Sequence, residues 1–175
     1  MNFKEPLISG EFIKRYKRFF VDIKIGNEKV VAHCPNTGSM MGLLKEGNQV
    51  WLSKSDNPMR KLKYTLQIIE DKNSKIGVNT HLTNKIVLYA LNNKKIESFK
   101  NIKYIKQEVN FGKNTRFDFM VSDEKKKSFI EVKNVTLSRK KSVAEFPDAV
   151  TSRGLKHIKE LIKAKKKVLI FIFFF

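Results

Sequence analysis

Three charged side chains in the second half of the chain have the types and spacing that phosphodiester chemistry needs. They lie in Arg116-Phe117-Asp118-Phe119 and Phe129-Ile130-Glu131-Val132-Lys133. Alternate side chains of a strand share a face, so Glu131 and Lys133 point one way while Ile130 and Val132 point into a core. Asp118 is flanked by Phe117 and Phe119 in the same manner. If the two segments pair as a hairpin, Asp118 meets Glu131 and Lys133 at one end. Carboxylate oxygens suit a hard cation, Mg²⁺ or Mn²⁺, that keeps waters and bridges to phosphate. Such an ion polarises the phosphate and lowers the pKa of a bound water. Lys133 would place that water or stabilise developing negative charge. Glu108, at the end of the preceding strand, offers a further carboxylate. The same residues also suit a hairpin whose outer face carries salt-bridged charges.

Three more segments bear polar chemistry. Phe146-Pro147-Asp148-Ala149-Val150-Thr151-Ser152-Arg153-Gly154-Leu155-Lys156-His157 reads as a helix start, where free N–H groups and the positive dipole end favour phosphate. Arg153 and His157 are four apart, on one helical face, and would contact phosphate or assist proton transfer. The plainer reading is a capped helix with both residues solvated. His33-Cys34-Pro35-Asn36-Thr37-Gly38-Ser39-Met40 has too few ligands for a closed zinc site. It is either a turn or a small loop that holds phosphate. Lys14-Arg15-Tyr16-Lys17-Arg18-Phe19-Phe20 interleaves basic and aromatic residues. On a strand, Tyr16, Arg18 and Phe20 would share one face and Lys17 and Phe19 the other. A charged, aromatic sheet face binds nucleic-acid backbone and stacks bases; one core face and one solvated face fit equally.

The elements that would position these residues change texture near residue 78. Before it, the run at residues 12–25 ends at the turn signal Gly26-Asn27. Lys29–Cys34, Gln49–Ser53 and Tyr64–Glu70 follow as short strands, separated by loops at Pro35–Gly38 and Ser55–Pro58. Several short strands in about 75 residues predict a small OB-like β-barrel over residues 1–78. From Thr80, a plausible N-cap, Leu82, Ile86, Val87 and Ala90 recur at helical spacing. Strands are expected at Tyr104–Val109, Phe117–Ser122 and Phe129–Val135. A helix over about Ala149–Lys165, with Leu155, Ile158, Leu161 and Ile162 on one face, and a strand from Val168 complete an α/β domain over residues 79–175.

Charge narrows the function. The chain carries 36 Lys and Arg against 17 Asp and Glu, a net charge of +19. Residues 1–80 contribute 14 basic and 8 acidic side chains, net +6, so the rest carry net +13. This favours a polyanionic partner over a merely solvated basic surface, and nothing in these residues separates RNA from DNA. With 41% hydrophobic residues the chain folds. The lone Cys34 forms no intrachain disulfide and, with no apolar leader in MNFKEPLISG, fits a reducing cytoplasm. The run Val168–Phe173 is too short to span a bilayer. An ending in KKVLIFIFFF, a strand with no polar exit, reads as a truncated or frameshifted product, since such an edge aggregates, or else as a true C-terminal central strand.

Five segments occur together in one order: Arg15–Phe19, His33–Met40, Phe117–Phe119, Ile130–Leu137, and Phe146–Thr151 with Arg153-Gly154 and Lys156-His157. On these the chain resembles the bacterial and archaeal sugar fermentation stimulation protein family, from about residue 3 to residue 173. The resemblance implies an N-terminal OB-like barrel joined to a PD-(D/E)xK nuclease-like α/β domain. It implies DNA binding with little sequence preference, and a regulatory link to sugar (maltose) metabolism that the residues themselves do not express. It puts Asp118, Glu131 and Lys133 at the nuclease-signature positions, as catalytic residues, with Asp118, Glu131 and Glu108 toward the metal. Arg15, Lys17, Arg18, Arg153 and His157 are the expected nucleic-acid contacts. Family members continue for several tens of residues beyond this chain's last strand.

Overall fold

In the computed structural model, residues 1–111, 115–140, 143, 145, 155, 159, 162 and 169–174 are described. They fall into two compact units, one holding Met1–Leu82 and the stretch that begins at Asn134, the other holding Thr83–Lys133 and the last strand.

The first unit is built on a strand that belongs to two layers. Strand β1 (Ile8–Tyr16) pairs antiparallel with β4 (Gln49–Lys54) through residues 8–11 and with β2 (Phe20–Ile25) through residues 11–16. A register shift between Phe12 and Lys14 marks the bend, as a bulge does where a sheet curls. Gly10 lies on this strand because a Cβ there would sit 2.7 Å from the Lys24 carbonyl oxygen. Strand β3 (Glu28–His33) follows β2 through the expected Gly26-Asn27 turn, and β5 (Tyr64–Asp71) pairs antiparallel with β4. A short parallel pairing of β3 with β5, Ala32 beside Tyr64 and His33 beside Thr65, closes the five strands into the barrel expected of an OB domain. Closure removes the free edges that an open sheet exposes. Phe12, Val21, Ile23, Ala32, Val50, Leu52, Leu66 and Ile69 fill the interior. A sixth strand, β6 (Ser74–Gly77), returns on β5 through Lys72 and Asn73, both with positive φ.

Helix α1 (Thr80–Asn92) is capped by Asn79, whose side-chain oxygen accepts the His81 N–H at 3.1 Å. The Thr80 hydroxyl, expected as the cap, instead donates to the Pro35 carbonyl at 3.1 Å. The buried Gln67 accepts from Asn79 Nδ2 and donates to Ser53 Oγ, each at 2.8 Å, so a relay of amides ties the cap to β4 and β5.

In the second unit four strands lie in the order β10-β9-β8-β7: β7 (Tyr104–Phe111), β8 (Thr115–Ser122), β9 (Lys127–Asn134) and β10 (Leu169–Phe174). The meander β7-β8-β9 is antiparallel throughout. Phe119 and Val121 of β8 and Ile130 and Val132 of β9 pack with Val87 and Leu91 of α1 and with Phe99, which lies in a single 3-10 turn at Glu97–Phe99. The buried stripe of α1 is therefore Thr83, Val87 and Leu91. Of the apolar positions expected there, Ile86 is 45% exposed, because the helix is rotated so that the 83–87–91 row meets the sheet. This unit is a sheet with one described helix. Of the expected second helix, Leu155, Lys159 and Ile162 are helical and exposed. No described helix is long and apolar enough to cross a membrane.

Candidate functional site

The charged end of β8 and β9 has the arrangement that strand alternation leads one to expect, with one addition. The β8–β9 ladder runs from Ser122 opposite Lys127 to Phe119 opposite Ile130. One step further along the same register lie Asp118 and Glu131. There the half-buried Asp118 takes over the ladder's role: its Oδ2 accepts the backbone N–H of Val132 at 2.7 Å. The Asp118 carboxylate is thus fixed against the Glu131–Val132 peptide. Its other oxygen, Oδ1, accepts from Asn84 Nδ2 of α1 at 2.9 Å. Glu131 is 7% exposed and takes the Lys133 ammonium at 2.6 Å, so an acid that burial would otherwise penalise is neutralised by its neighbour two residues on. Lys133 itself is 37% exposed and reaches solvent.

Glu108 does not join this group. By register it would face Asp118, between the pairs Gln107–Phe119 and Val109–Phe117. Its φ of 53° breaks the strand geometry there, and its exposed carboxylate pairs with Arg116 Nε at 2.8 Å. Among the described residues no cluster of three or more His, Cys, Asp or Glu is placed to hold an ion. Two carboxylates remain, and two suffice for a hard cation that retains several waters and takes further oxygens from phosphate. The donor chemistry of Asp118 and Glu131 fits such an ion.

The basic and aromatic run of β1 departs from expectation. It is not one continuous strand: β1 stops at Tyr16, and Lys17, Arg18 and Phe19 form a three-residue turn into β2. Lys17 and Arg18 are left-handed, with φ of 48° and 62°, a conformation that glycine or asparagine usually signals. Their side chains and Phe19 are exposed at the tip, while Tyr16 stacks on Phe20 with ring centroids 5.5 Å apart. Lys17 and Arg18 stay open to solvent. Arg15 does not share their position. Its Nη1 and Nη2 donate to the carbonyls of Gly38 (2.8 Å) and Asn36 (2.9 Å), and its Nε to that of Arg18 (3.0 Å). The guanidinium fork builds the Pro35–Gly38 loop, which the Asn36 side chain tightens by accepting the Gly38 N–H at 2.8 Å. The loop is a turn first. Arg153 and His157, with most of the segment from Phe146 to His157, lie outside the described residues.

Asn84 is the site residue that sequence reasoning missed. It follows Thr83 on the rim of the helix's buried stripe, and a polar pair there is the one signal that could have exposed it.

Two family models divide the chain much as its folding units do. The SfsA N-terminal OB domain matches residues 13–78, and the sugar fermentation stimulation protein RE domain matches residues 81–175. The sugar fermentation stimulation protein homolog of Pelagibacter ubique (strain HTCC1062) is 60% identical over 167 residues, which are 95% of this chain and 72% of that protein. The homolog of Ruegeria sp. (strain TM1040) is 44% identical over 164 residues, 92% of this chain and 71% of its own length. Among solved structures, that of Pyrococcus furiosus SfsA in complex with Ca²⁺ superposes with a TM-score of 0.82 at 26% identity, covering 99% of this chain and 74% of that one. The two family models, the barrel expected of the first, and identity at this level over nearly the whole sequence agree: the chain belongs to the sugar fermentation stimulation protein family.

Proposed function

We propose that this chain binds DNA with little sequence preference, and that Asp118, Glu131 and Lys133 form a divalent-cation-dependent phosphodiesterase centre of the PD-(D/E)xK type. The observation that carries this reading is the Asp118 carboxylate seated on the Val132 amide, which sets it beside the Glu131–Lys133 pair. When bound there, Mg²⁺ or Mn²⁺ would supply Lewis-acid activation of the phosphate. The chain's own residues do the rest. Asn84 and the Val132 N–H hold Asp118 in one orientation, and Lys133 presents an ammonium at the solvent side, where charge develops on phosphate oxygens. Lys17 and Arg18 at the barrel's turn, and the net charge of +19, supply attraction that ignores base sequence. The structural relative solved with Ca²⁺ supports a cation in this family. The buried, lone Cys34 fits a cytoplasmic protein.

A second reading, a DNA-binding regulator of sugar metabolism that cuts nothing, has one observation in its favour. Both Asp118 oxygens and Glu131 Oε1 already accept hydrogen bonds from the protein. The deciding experiment incubates single- and double-stranded DNA with the chain in Mn²⁺, Mg²⁺ or chelator. Asp118→Ala and Lys133→Ala variants run alongside, and binding is measured in the same samples. Metal-dependent cleavage that both variants lose while still binding establishes the nuclease reading. DNA that is bound and stays intact in every condition leaves the regulator. Failure to bind either form of DNA sinks both.

A further inference from the structure

The His33–Met40 segment has a use that the Asp118 centre does not absorb. His33 ends β3, and the parallel pairing that closes the barrel sets it beside Thr65 of β5. Arg60 Nη2 donates to Thr65 Oγ1 at 2.6 Å, which fixes a guanidinium at the same place. The ring of His81, the second residue of α1, lies 6.4 Å from that of His33 between centroids. Each of the three is anchored from behind. Thr65 is buried under Arg60, and the Asn79–Gln67–Ser53 relay and the Thr80–Pro35 bond hold the start of the helix two residues from His33 along β3's exit.

The electrostatics of this cluster are one-sided. Neither imidazole makes a hydrogen bond or ion pair with any described residue. Burial pushes the half-buried His33 below its usual range, and Arg60 and then His81 push it further. Those are the charged groups that act on it, and no carboxylate is among them. With no acid among them, the burial and the two neighbours disfavour charge on His33, and an anion held between the groups removes that penalty.

We propose that His33, His81 and Arg60 form a binding site for one phosphate group. The groups suit a tetrahedral oxyanion: a guanidinium with N–H donors left after Thr65, and two rings whose N–H donors have no partner among the described residues. The phosphate belongs either to a nucleic-acid backbone or to a small free phosphate. The first source rests on the DNA-binding reading above, and the site itself does not. Affinity for a phosphodiester, whose single charge does not change with pH here, rises as the pH falls through the lowered range in which the His33 ring charges, because the added proton adds an attraction.

The test follows the His33 ring by NMR as the pH is varied, with inorganic phosphate, with chloride at matched ionic strength, and with a short DNA duplex. Saturating phosphate is expected to raise the His33 pKa by on the order of one unit, which is about tenfold tighter phosphate binding by the charged ring. His81→Gln and Arg60→Gln should each abolish most of that rise while leaving amide spectra of the barrel core unchanged. No rise beyond that given by chloride overturns the site, and so does an undiminished rise in both variants. A rise with duplex as well as with inorganic phosphate identifies the backbone as the source, and a rise with inorganic phosphate alone identifies a small phosphate. If the chain fails to bind DNA at all, the proposed function falls while the response to inorganic phosphate still decides this site.

Discussion

Replacing Arg15 separates a scaffold residue from a phosphate contact. Arg15→Met keeps most of the aliphatic stem and removes the fork that serves Asn36, Gly38 and Arg18. The bond to Arg18 is exposed and contributes little; those to Asn36 and Gly38 are part-buried. Two part-buried charge-assisted bonds, discounted for solvent, come to about 2–3 kcal/mol. Trp51, the single tryptophan, lies in β4 of the barrel, so its fluorescence during urea unfolding reports on this unit. The expected result is an earlier midpoint at an unchanged slope, shifted by that loss divided by the slope. Arg15→Lys should lose most of it too, because a lysine keeps the charge but cannot bridge two carbonyls. DNA affinity should retain its salt dependence in both variants. The reasoning is refuted if Arg15→Met unfolds like the parent chain while its salt slope falls by about one unit, the signature of a lost phosphate contact.

Two further outcomes rest on single side-chain contacts, one at the Asp118 centre and one on the barrel. Asn84→Ala removes the amide that orients Asp118, and should weaken Mn²⁺ binding, measured by calorimetry, by about 10–100-fold with DNA affinity unchanged; undiminished Mn²⁺ binding would make Asn84 a tether between α1 and the sheet and nothing more. Asp22, nearly buried on β2, is held below the usual carboxylate range first by its hydrogen bond with Lys29, at 2.8 Å. Its contribution is complete above the unfolded value of about 4 and is lost as the pH falls through the lower folded value, so Asp22→Asn should flatten the acid side of the Trp51 unfolding curve. Parallel acid limbs for the two proteins would show that the pair carries no such linkage.

Much of the barrel was legible because its strands are bounded by residues that cannot continue them. Gly26-Asn27, Pro35–Gly38 and Ser55–Pro58 punctuate the sequence: β3 and β4 lie between them, β2 ends at the first and β5 follows the last. The turn at Lys17–Arg18 was not legible, since neither residue is a left-handed former; tertiary demand from the Tyr16–Phe20 pairing imposes it. The four-residue β6 is too short for alternation to register. In α1, Thr83 occupies the stripe where an apolar residue was sought, which shifts the apparent face by one position. Asp118, Glu131 and Lys133 could be found because period-2 alternation and buried flanking residues fix which way they point. Two placements needed three dimensions. Arg15 is committed to carbonyls more than 20 positions away, and Asn84 reaches Asp118 from 34 positions away.

The acids say more than the bases. A net charge of +19 describes any polyanion binder, and such a binder gains nothing from carboxylates beside the phosphate: at about 4 Å an uncompensated acid repels it by roughly 1 kcal/mol in water and more where solvent is excluded. Stability does not require them either, because a buried ion pair is often replaced without loss by apolar residues of similar volume. Here Glu131 is buried, its Lys133 partner is left partly in solvent, and Asp118 is locked against the peptide between them by two separate donors. A folding role would be served by burying Lys133 or by omitting the pair. Two oriented acids and one accessible ammonium are what the proposed phosphodiesterase centre would use, and loss of cleavage in Asp118→Ala and Lys133→Ala is the outcome that would bear the proposal out.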